Sequence, residues 1–414
     1  MRLCGDASRQ NYDFWSQMTL TIPWVEWASL MIRWLHLAAG IAWIGTSFYF
    51  IWLDLSLRSR SSLAKGVLGE SWSVHGGGFY HVQKYTVAPE EMPAELHWFK
   101  YEAYFTWLSG FALLVVVYYF GATSYLIDPA RADLTPTAAI AASLGFLIGS
   151  WLIYEALCRS LIGRSTPALA VSVFLLILAS AFLLTQIFSD RAAFLHVGAL
   201  IGTIMSANVF VVIIPNQKKV VADLVANKTP NPALGAQAKQ RSLHNNYLTL
   251  PVLLLMVSAH YPMLFSGGIQ WGWLVIAFIV VAGGVIRHFF NTHHAGGRGK
   301  ALAWQWPVAI LLAIGLIIFI ASRGPGLSDA EISDSRALEI VTTHCASCHA
   351  VEPNNPAFTA PPGGVALDSL SAVRRHSGQV MAQSVMSQAM PLGNATGMTD
   401  SERAELGQWL RMQH

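Results

Sequence analysis

Long apolar runs with almost no ionisable side chains constrain this chain more than any other feature. Residues 113–120, 174–188, 252–257 and 308–320 form such runs, and a helix needs about 20 predominantly apolar residues to cross the hydrocarbon core of a bilayer. Only 12% of the 414 residues are charged, about half the fraction typical of soluble globular proteins. The sequence therefore predicts an integral membrane protein in contact with membrane lipid, and it excludes a purely water-soluble enzyme.

Hydrophobic windows bounded by Gly, Pro and charged residues predict eight membrane spans. They cover residues 27–53, 98–120, 138–157, 167–188, 193–214, 248–265, 271–290 and 301–322. After Gly324-Pro325-Gly326 the composition becomes polar and no further span follows. The predicted fold class is all-α: a polytopic membrane helix bundle of residues 1–325, followed by a small soluble domain of residues 326–414.

The basic residues predict how this bundle is oriented. An even number of spans places both termini on one side of the membrane, with the connections after spans 1, 3, 5 and 7 on the other. Those connections and their flanks hold fifteen Lys and Arg residues, against six on the terminal side. Because basic residues are enriched on the cytoplasmic side, we expect both termini and the C-terminal domain on the opposite, non-cytoplasmic side of the membrane. The net charge of +3, with no basic stripe, argues against nucleic-acid binding.

Two apolar spans begin alike. Residues 36–45 open one span with a histidine, and residues 196–205 open another in the same way four spans later. Each is followed by a long connection that ends in a histidine with a nearby tyrosine. This spacing predicts a four-plus-four internal repeat, with chance similarity between apolar helices as the alternative.

The segment Cys345-Ala-Ser-Cys348-His349 has the attachment pattern of a c-type haem. Two thiols three positions apart on a helix can add to the two vinyl groups of one porphyrin, and the adjacent histidine then meets the iron. A lone C-x-x-C also suits redox chemistry or half of a zinc site, but no second cysteine pair follows it in the sequence. The pattern therefore predicts one covalent haem c, with His349 as an iron ligand.

A methionine opposite this histidine would raise the reduction potential towards that of electron carriers. The candidates are Met381, Met386, Met390 and Met398. Met390 precedes a proline in a predicted loop, as on the distal side of small class I cytochromes c, which this domain resembles. The sequence favours Met390 as the second iron ligand and predicts a C-terminal helix over residues 400–412.

Histidines in the predicted spans form two layers. His36, His196 and His260 fall towards the outer leaflet. The inner layer consists of His97, His244, His288, His293 and His294. The outer histidines allow two interpretations. Each suits a hydrogen-bonded core position, yet several histidines at one depth on different helices also suit the ligands of a b-type haem in the membrane. His36 with Trp43 two turns later resembles membrane families that hold such a haem. The sequence leaves both interpretations open.

Residues 71–104 are dense in groups that bind flat ligands and move protons. Three glycines at 76–78 allow close backbone approach, aromatic rings offer stacking surfaces, and His, Lys and Glu side chains transfer protons. A second cluster at 244–247 is expected to face it. The candidate catalytic residues of the two clusters are His75, His81, Lys84, His97, Glu102, His244 and Tyr247. Glu102 and Glu155 suit either proton transfer or salt bridges with Lys100 and Arg159.

The segments that carry these features resemble the bacterial membrane-bound urate oxidases, or urate hydroxylases, in which an eight-span domain is fused to a cytochrome c. The matching segments are 36–50, 75–85, 97–110, 244–262, 345–349 and 390–399. The resemblance implies a purine-catabolic enzyme that oxidises urate to 5-hydroxyisourate. Electrons would pass through the haem to a respiratory acceptor such as a soluble cytochrome c or a terminal oxidase.

Two other functions fit the same residues. One is a dehydrogenase that oxidises quinol or another small metabolite and reduces its own cytochrome. The other is a copper or solute permease with an appended redox domain, suggested by the methionines and by the His36–Trp43 spacing.

Overall fold

The computed structural model describes residues 24–89, 92–265, 271–295, 304–322, 331–355, 358–387 and 389–413. The predicted domain boundary at 325/326 lies outside the described residues. Within them the chain is mostly helical, as the sequence predicts. The first part contains α1 (Trp24–Ser56), α2 (Tyr101–Leu113), α3 (Pro136–Arg159), α4 (Thr166–Ile187), α5 (Asp190–Ala207), α6 (Ile214–Val225), α7 (Pro232–Val257), α8 (Gly272–His294) and α9 (Gln305–Ala321).

Six helical segments among the described residues are long and apolar enough to cross a membrane. This finding is compatible with a membrane protein. A π-helical turn extends α2 to Tyr119, and another joins α5 to α6. The six segments are Trp24–Ser56, Tyr101–Tyr119, Pro136–Arg159, Thr166–Ile187, Asp190–Val225 and Gly272–His294.

The other two predicted spans are not among these six. Residues 248–265 begin in the second half of α7, whose first half is polar, and then break into short 3₁₀ turns at Ser258–His260 and Pro262–Phe265. The last predicted span contains α9, which is apolar but only 17 residues long. Eight spans and the four-plus-four repeat therefore stay predictions.

An all-α fold was wrong for one segment. Val67–His75 (β1) and Gly78–Tyr85 (β2) form an antiparallel hairpin in which His75 pairs with Gly78. Gly76 and Gly77 have φ of +59° and +77°, the left-handed backbone that a two-residue hairpin turn requires. These two glycines therefore serve the turn, rather than the ligand surface that we expected from the sequence.

Helices α7 and α8 cross closely at Pro251 and Gly283. A Cβ atom on Gly283 would lie 2.6 Å from Pro251 Cδ, whereas one on Gly284 would meet nothing within 4 Å. We therefore expect Gly283→Ala to lower stability by about 1–3 kcal/mol through overpacking, and Gly284→Ala to be neutral or mildly stabilising. Thermal melting of the two variants in detergent measures this difference, and equal melting temperatures would contradict the close crossing.

Residues after 331 have a hydrophobic core of their own. Their helices are α10 (Asp334–His344), α11 (Ala346–His349), α12 (Leu370–Arg375), α13 (Ser377–Val380) and α14 (Asp400–Arg411). We call residues 331–413 the C-terminal unit. The core includes Ile340, Val373 and Trp409. The predicted C-terminal helix is confirmed by α14, which a Thr399–Glu402 capping box starts.

The bundle has two distinguishable ends. At the hairpin end, where α1 ends and α2 begins, Lys84 Nζ of the hairpin lies 2.7 Å from Asp54 Oδ1. The C-terminal unit packs on the opposite end. A Cβ atom on its Gly393 would lie 2.8 Å from the carbonyl oxygen of Ser124 and 2.9 Å from that of Ile127, so the backbones touch directly there.

Candidate functional site

A cavity of about 340 Å³ opens at the hairpin end between α1, β1 and the last turn of α8. We call it the hairpin-end pocket. Its walls combine aromatic rings with cationic and titratable groups, which suits a flat, anionic ligand. The lining residues are Trp52, Ser56, Arg58, Arg60, Glu70, Ser71, Trp72, His293 and His294.

A buried carboxylate organises one wall of this pocket. Glu70 is 7% exposed; its Oε1 lies 3.2 Å from Arg60 Nε and its Oε2 lies 2.7 Å from His81 Nε2. The His81 ring stacks on Trp72 with 4.1 Å between centroids. Glu70 therefore fixes the orientation of an imidazole beside the pocket, the arrangement that a proton-transferring histidine uses.

The other predicted catalytic residues near the hairpin have different surroundings. Lys84 is paired with Asp54, so it ties the hairpin to α1. His75 is exposed beside the hairpin turn, and His97 packs edge-on against Phe99. Glu102 lies in the first turn of α2. Of this group, the structure joins only His81 to the pocket wall.

His244 and Tyr247 belong to polar networks between helices. The Tyr154 hydroxyl lies 2.7 Å from His244 Nδ1, and the Tyr247 hydroxyl lies 2.8 Å from His288 Nδ1. Among the described residues, no hydrogen bond or ring contact joins either residue to the hairpin. Both residues therefore have partners within the bundle, and the expectation that their cluster faces the hairpin stays a prediction.

The salt-bridge interpretation of Glu155 is confirmed. Its Oε1 accepts from Arg159 Nε at 2.5 Å, and its Oε2 accepts from Arg241 Nη2 at 2.7 Å. This carboxylate therefore pairs with two cations near the end of α3.

Sequence reasoning missed most of the pocket wall. Trp52, Arg58 and Arg60 follow one another near the end of α1, and His293 and His294 end α8. The sequence around the end of α1 did contain a local signal. Trp52 lies one turn before the helix ends, and Arg58 and Arg60 follow just after it, so this segment offers an aromatic and cationic surface. Only the packing of α8 against α1 shows that the two histidines share it.

The three candidate ligands of a b-type haem have different surroundings. Both ring nitrogens of His196 are engaged, because Nδ1 donates to the Ala192 carbonyl and Nε2 accepts from Ser143 Oγ, each at 2.7 Å. His36 Nδ1 donates to the Thr106 carbonyl at 2.9 Å. His260 lines a second cavity of about 410 Å³ against the C-terminal unit. His196 therefore has the hydrogen-bonded core role, and the b-type haem stays a prediction.

The Cys345–His349 segment fits covalent haem attachment. His349 Nδ1 donates to the Val365 carbonyl at 2.8 Å, which leaves Nε2 available as the iron-binding nitrogen. Cys345 and Cys348 are free thiols, and burial raises the pKa of Cys345 to about 11. No group of three or more His, Cys, Asp or Glu side chains in the described part of the chain suits a metal ion, so a zinc site has no support there.

The four methionine candidates differ in exposure. Met398 is buried in the core of the C-terminal unit, and Met381 packs against that core. Met386 is 42% exposed. Met390 is half-buried in a loop whose position is fixed through its backbone, since its N–H donates to Gln383 and its carbonyl accepts from Arg403. Met390 stays the predicted second ligand.

Comparison with known proteins assigns the helix bundle to a protein family. The family model described as urate oxidase N-terminal matches residues 23–322, which include every helix of the bundle and the whole hairpin-end pocket. No curated protein and no solved structure matches the chain. The match covers well over half of the 414 residues, and the chain therefore belongs to the urate oxidase N-terminal family.

Proposed function

We propose that this protein is a membrane-bound urate oxidase that binds urate in the hairpin-end pocket and converts it to 5-hydroxyisourate. Electrons leave through a c-type haem on the C-terminal unit to a soluble cytochrome c or a terminal oxidase. The observation that carries the proposal is the family match over residues 23–322, which contain this cationic, aromatic pocket.

The chemistry of the pocket suits urate, a planar, anionic purine. Trp52 and Trp72 offer indole faces for stacking on the fused rings. Arg58 and Arg60 offer guanidinium groups for the carbonyl oxygens. Since Glu70 is already paired with Arg60 and His81, its charge is compensated and does not repel the anion.

Hydroxylation of urate consumes one water and releases two electrons and two protons, so the site needs a proton acceptor. His81 is the predicted base that the structure supports best, because Glu70 orients it and Trp72 holds its ring beside the pocket. Lys84 is held by Asp54, which makes it a weaker candidate. Protons released at the pocket would pass to His81 and from its exposed side to water.

The C-terminal unit supplies the residues for the electron exit. Cys345 and Cys348 would hold the haem covalently, and His349 would bind its iron through Nε2, with Met390 as the second ligand. A haem bound by these residues would supply a one-electron acceptor in place of oxygen. The basic residues of the bundle support a periplasmic position for this unit, in a protein anchored in the inner membrane.

An anaerobic titration of the purified protein with urate tests the proposal. We expect urate to reduce the c-type haem, measured as the appearance of the absorption band of the reduced haem. The product should have the absorbance of 5-hydroxyisourate. His81→Asn should slow this reduction at least tenfold by removing the base, and the control His75→Asn at the exposed hairpin turn should not. Reduction by quinol but not by urate would contradict the proposal and would favour a quinol dehydrogenase.

A further inference from the structure

A set of buried polar atoms near the hairpin end has no protein partner. Among the described residues this set includes Arg287 Nε, Asn246 Nδ2, Asn291 Oδ1, His294 Nδ1 and Gln305 Oε1, while Arg241 Nε and Nη1 are also unpaired on the same helix as Asn246. Their residues lie on three neighbouring helices, α7, α8 and α9. Arg287 is 4% exposed, Asn246 0% and Gln305 1%. Buried polar groups in folded proteins are almost always hydrogen-bonded, so this concentration points to a ligand.

Arg287 differs from other buried arginines of the bundle. Arg131 pairs with Asp128 and Asp190, and Arg241 pairs with Glu155. No carboxylate lies within ion-pair distance of Arg287 in the described part of the chain. The Phe48 ring centroid is instead 3.9 Å from its guanidinium carbon. A buried cation without a counterion is costly inside an apolar bundle and marks a site for an anion.

The helix faces that carry these residues lead from the hairpin-end pocket into the bundle, and His294 is the member of the set that lines the pocket itself. On α8, Arg287, Asn291 and His294 lie at i, i+4 and i+7 and therefore share one face. On α1, Phe48 and Trp52 are one turn apart. Trp52 and His294 both line the pocket, while Phe48 and Arg287 touch each other deeper in the bundle. The two helix faces thus oppose each other from the mouth of the pocket down to Arg287.

The unpaired atoms include both donors and acceptors. Asn291 Nδ2 donates to Asn246 Oδ1 at 2.8 Å, which leaves one amide donor and one amide acceptor unused. Exchanging N and O in both amides would again leave one of each, so the conclusion does not depend on their assignment. Gln305 adds a further acceptor. A matching ligand carries neighbouring N–H and C=O groups in one plane together with a negative charge.

We propose that Arg287, Asn246, Asn291 and Gln305 form the recognition subsite for the imide edge of the urate anion. The inference rests on the proposed function. It assigns to these four residues the discrimination between urate and other flat ring systems. Arg287 binds the charged edge with its guanidinium, and the amides read the ring N–H and C=O groups. The charge of Arg287 is compensated when urate is bound.

Urate binding to the full-length protein tests this subsite, with tryptophan fluorescence and melting temperature as readouts. We expect Arg287→Met to weaken urate binding about 100-fold and to abolish the urate-induced rise in melting temperature. Without urate, Arg287→Met should melt no lower than the wild type, because it removes an uncompensated buried charge. Arg164→Gln, at an exposed arginine of the same end of the bundle, should bind urate as the wild type does.

A second variant covers the case in which Arg287→Met does not fold. Arg287→Lys keeps the charge but loses the planar fork, and we expect it to weaken urate binding about tenfold. Caffeine, a neutral purine whose imide nitrogen N1 is methylated, should bind the wild type and Arg287→Lys equally weakly. If Arg287→Met or Arg287→Lys binds urate with wild-type affinity, the subsite is overturned, but the proposed oxidation of urate is not. A wild-type protein that neither binds nor oxidises urate overturns the proposed function itself.

Discussion

Replacing both Cys345 and Cys348 by alanine should remove covalently bound haem and abolish urate-driven electron transfer. Both thioether bonds of a c-type haem come from these sulfurs, and His349 alone would hold the iron only by coordination. The double variant should still bind urate, because the hairpin-end pocket lies at the other end of the bundle from the surface that contacts the C-terminal unit. Haem staining of denatured protein and urate-induced fluorescence changes measure the two effects separately.

Cys158 provides the matched control for this experiment. It is a free, half-buried thiol of α3 without a haem-attachment pattern, and Cys158→Ala should keep both the haem stain and the urate-driven reduction. Covalent haem in the double variant would contradict the attachment site. Undiminished urate oxidation in a double variant that lacks haem would show that electrons leave the substrate by another route, such as direct transfer to oxygen.

The helices were predictable because their signals are local. Apolar runs locate the core of α4, and a Thr399 cap with Glu402 three residues later marks the start of α14. Burial opposes ionisation of Glu402, but hydrogen bonds from Thr399 and His344 outweigh it and lower the pKa of this carboxyl to about 2. Such caps depend on neighbours in the sequence, so they can be read directly from it.

The hairpin was missed although a local signal was present. Polar and apolar side chains alternate from Ser71 to His75, before Gly76 and Gly77, and a segment rich in aromatic and β-branched residues begins at Phe79. A glycine pair between two segments of strand-forming residues predicts a hairpin. The long apolar runs on both sides of this segment favoured an all-α fold for the whole chain. The glycines were therefore interpreted as part of a ligand-binding surface.

The deeper part of the candidate site could not be predicted from the sequence. Arg287 is one of many basic residues near helix ends, and nothing local distinguishes it from Arg241, which has a carboxylate partner. The distinction arises from packing, because α8 turns Arg287 towards Phe48 of α1, about 240 positions earlier in the chain. For the same reason, two engaged ring nitrogens identify His196 as a core residue only after folding.

Replacing Arg403 by methionine should strongly destabilise the C-terminal unit. Arg403 is 2% exposed; its Nη1 donates to the carbonyls of Ser384 at 2.5 Å and Met390 at 2.6 Å, and its Nη2 donates to Asn394 Oδ1 at 3.2 Å. The side chain therefore ties α14 to three points around the Met390 loop. Hydrogen bonds from a charged donor contribute about 1.5–3 kcal/mol each, so we expect a loss of about 3 kcal/mol or more.

A loss of this size in a unit of fewer than 100 residues corresponds to a melting temperature roughly 10 °C lower or more. Arg375→Met is the control, since Arg375 is exposed on the same unit and its replacement should change melting by a degree or less. If Met390 is the second iron ligand, Arg403→Met should also lower the reduction potential of the haem, because its loop loses the anchor that holds the thioether in place. Equal melting and equal potentials in the two variants would contradict this role for Arg403.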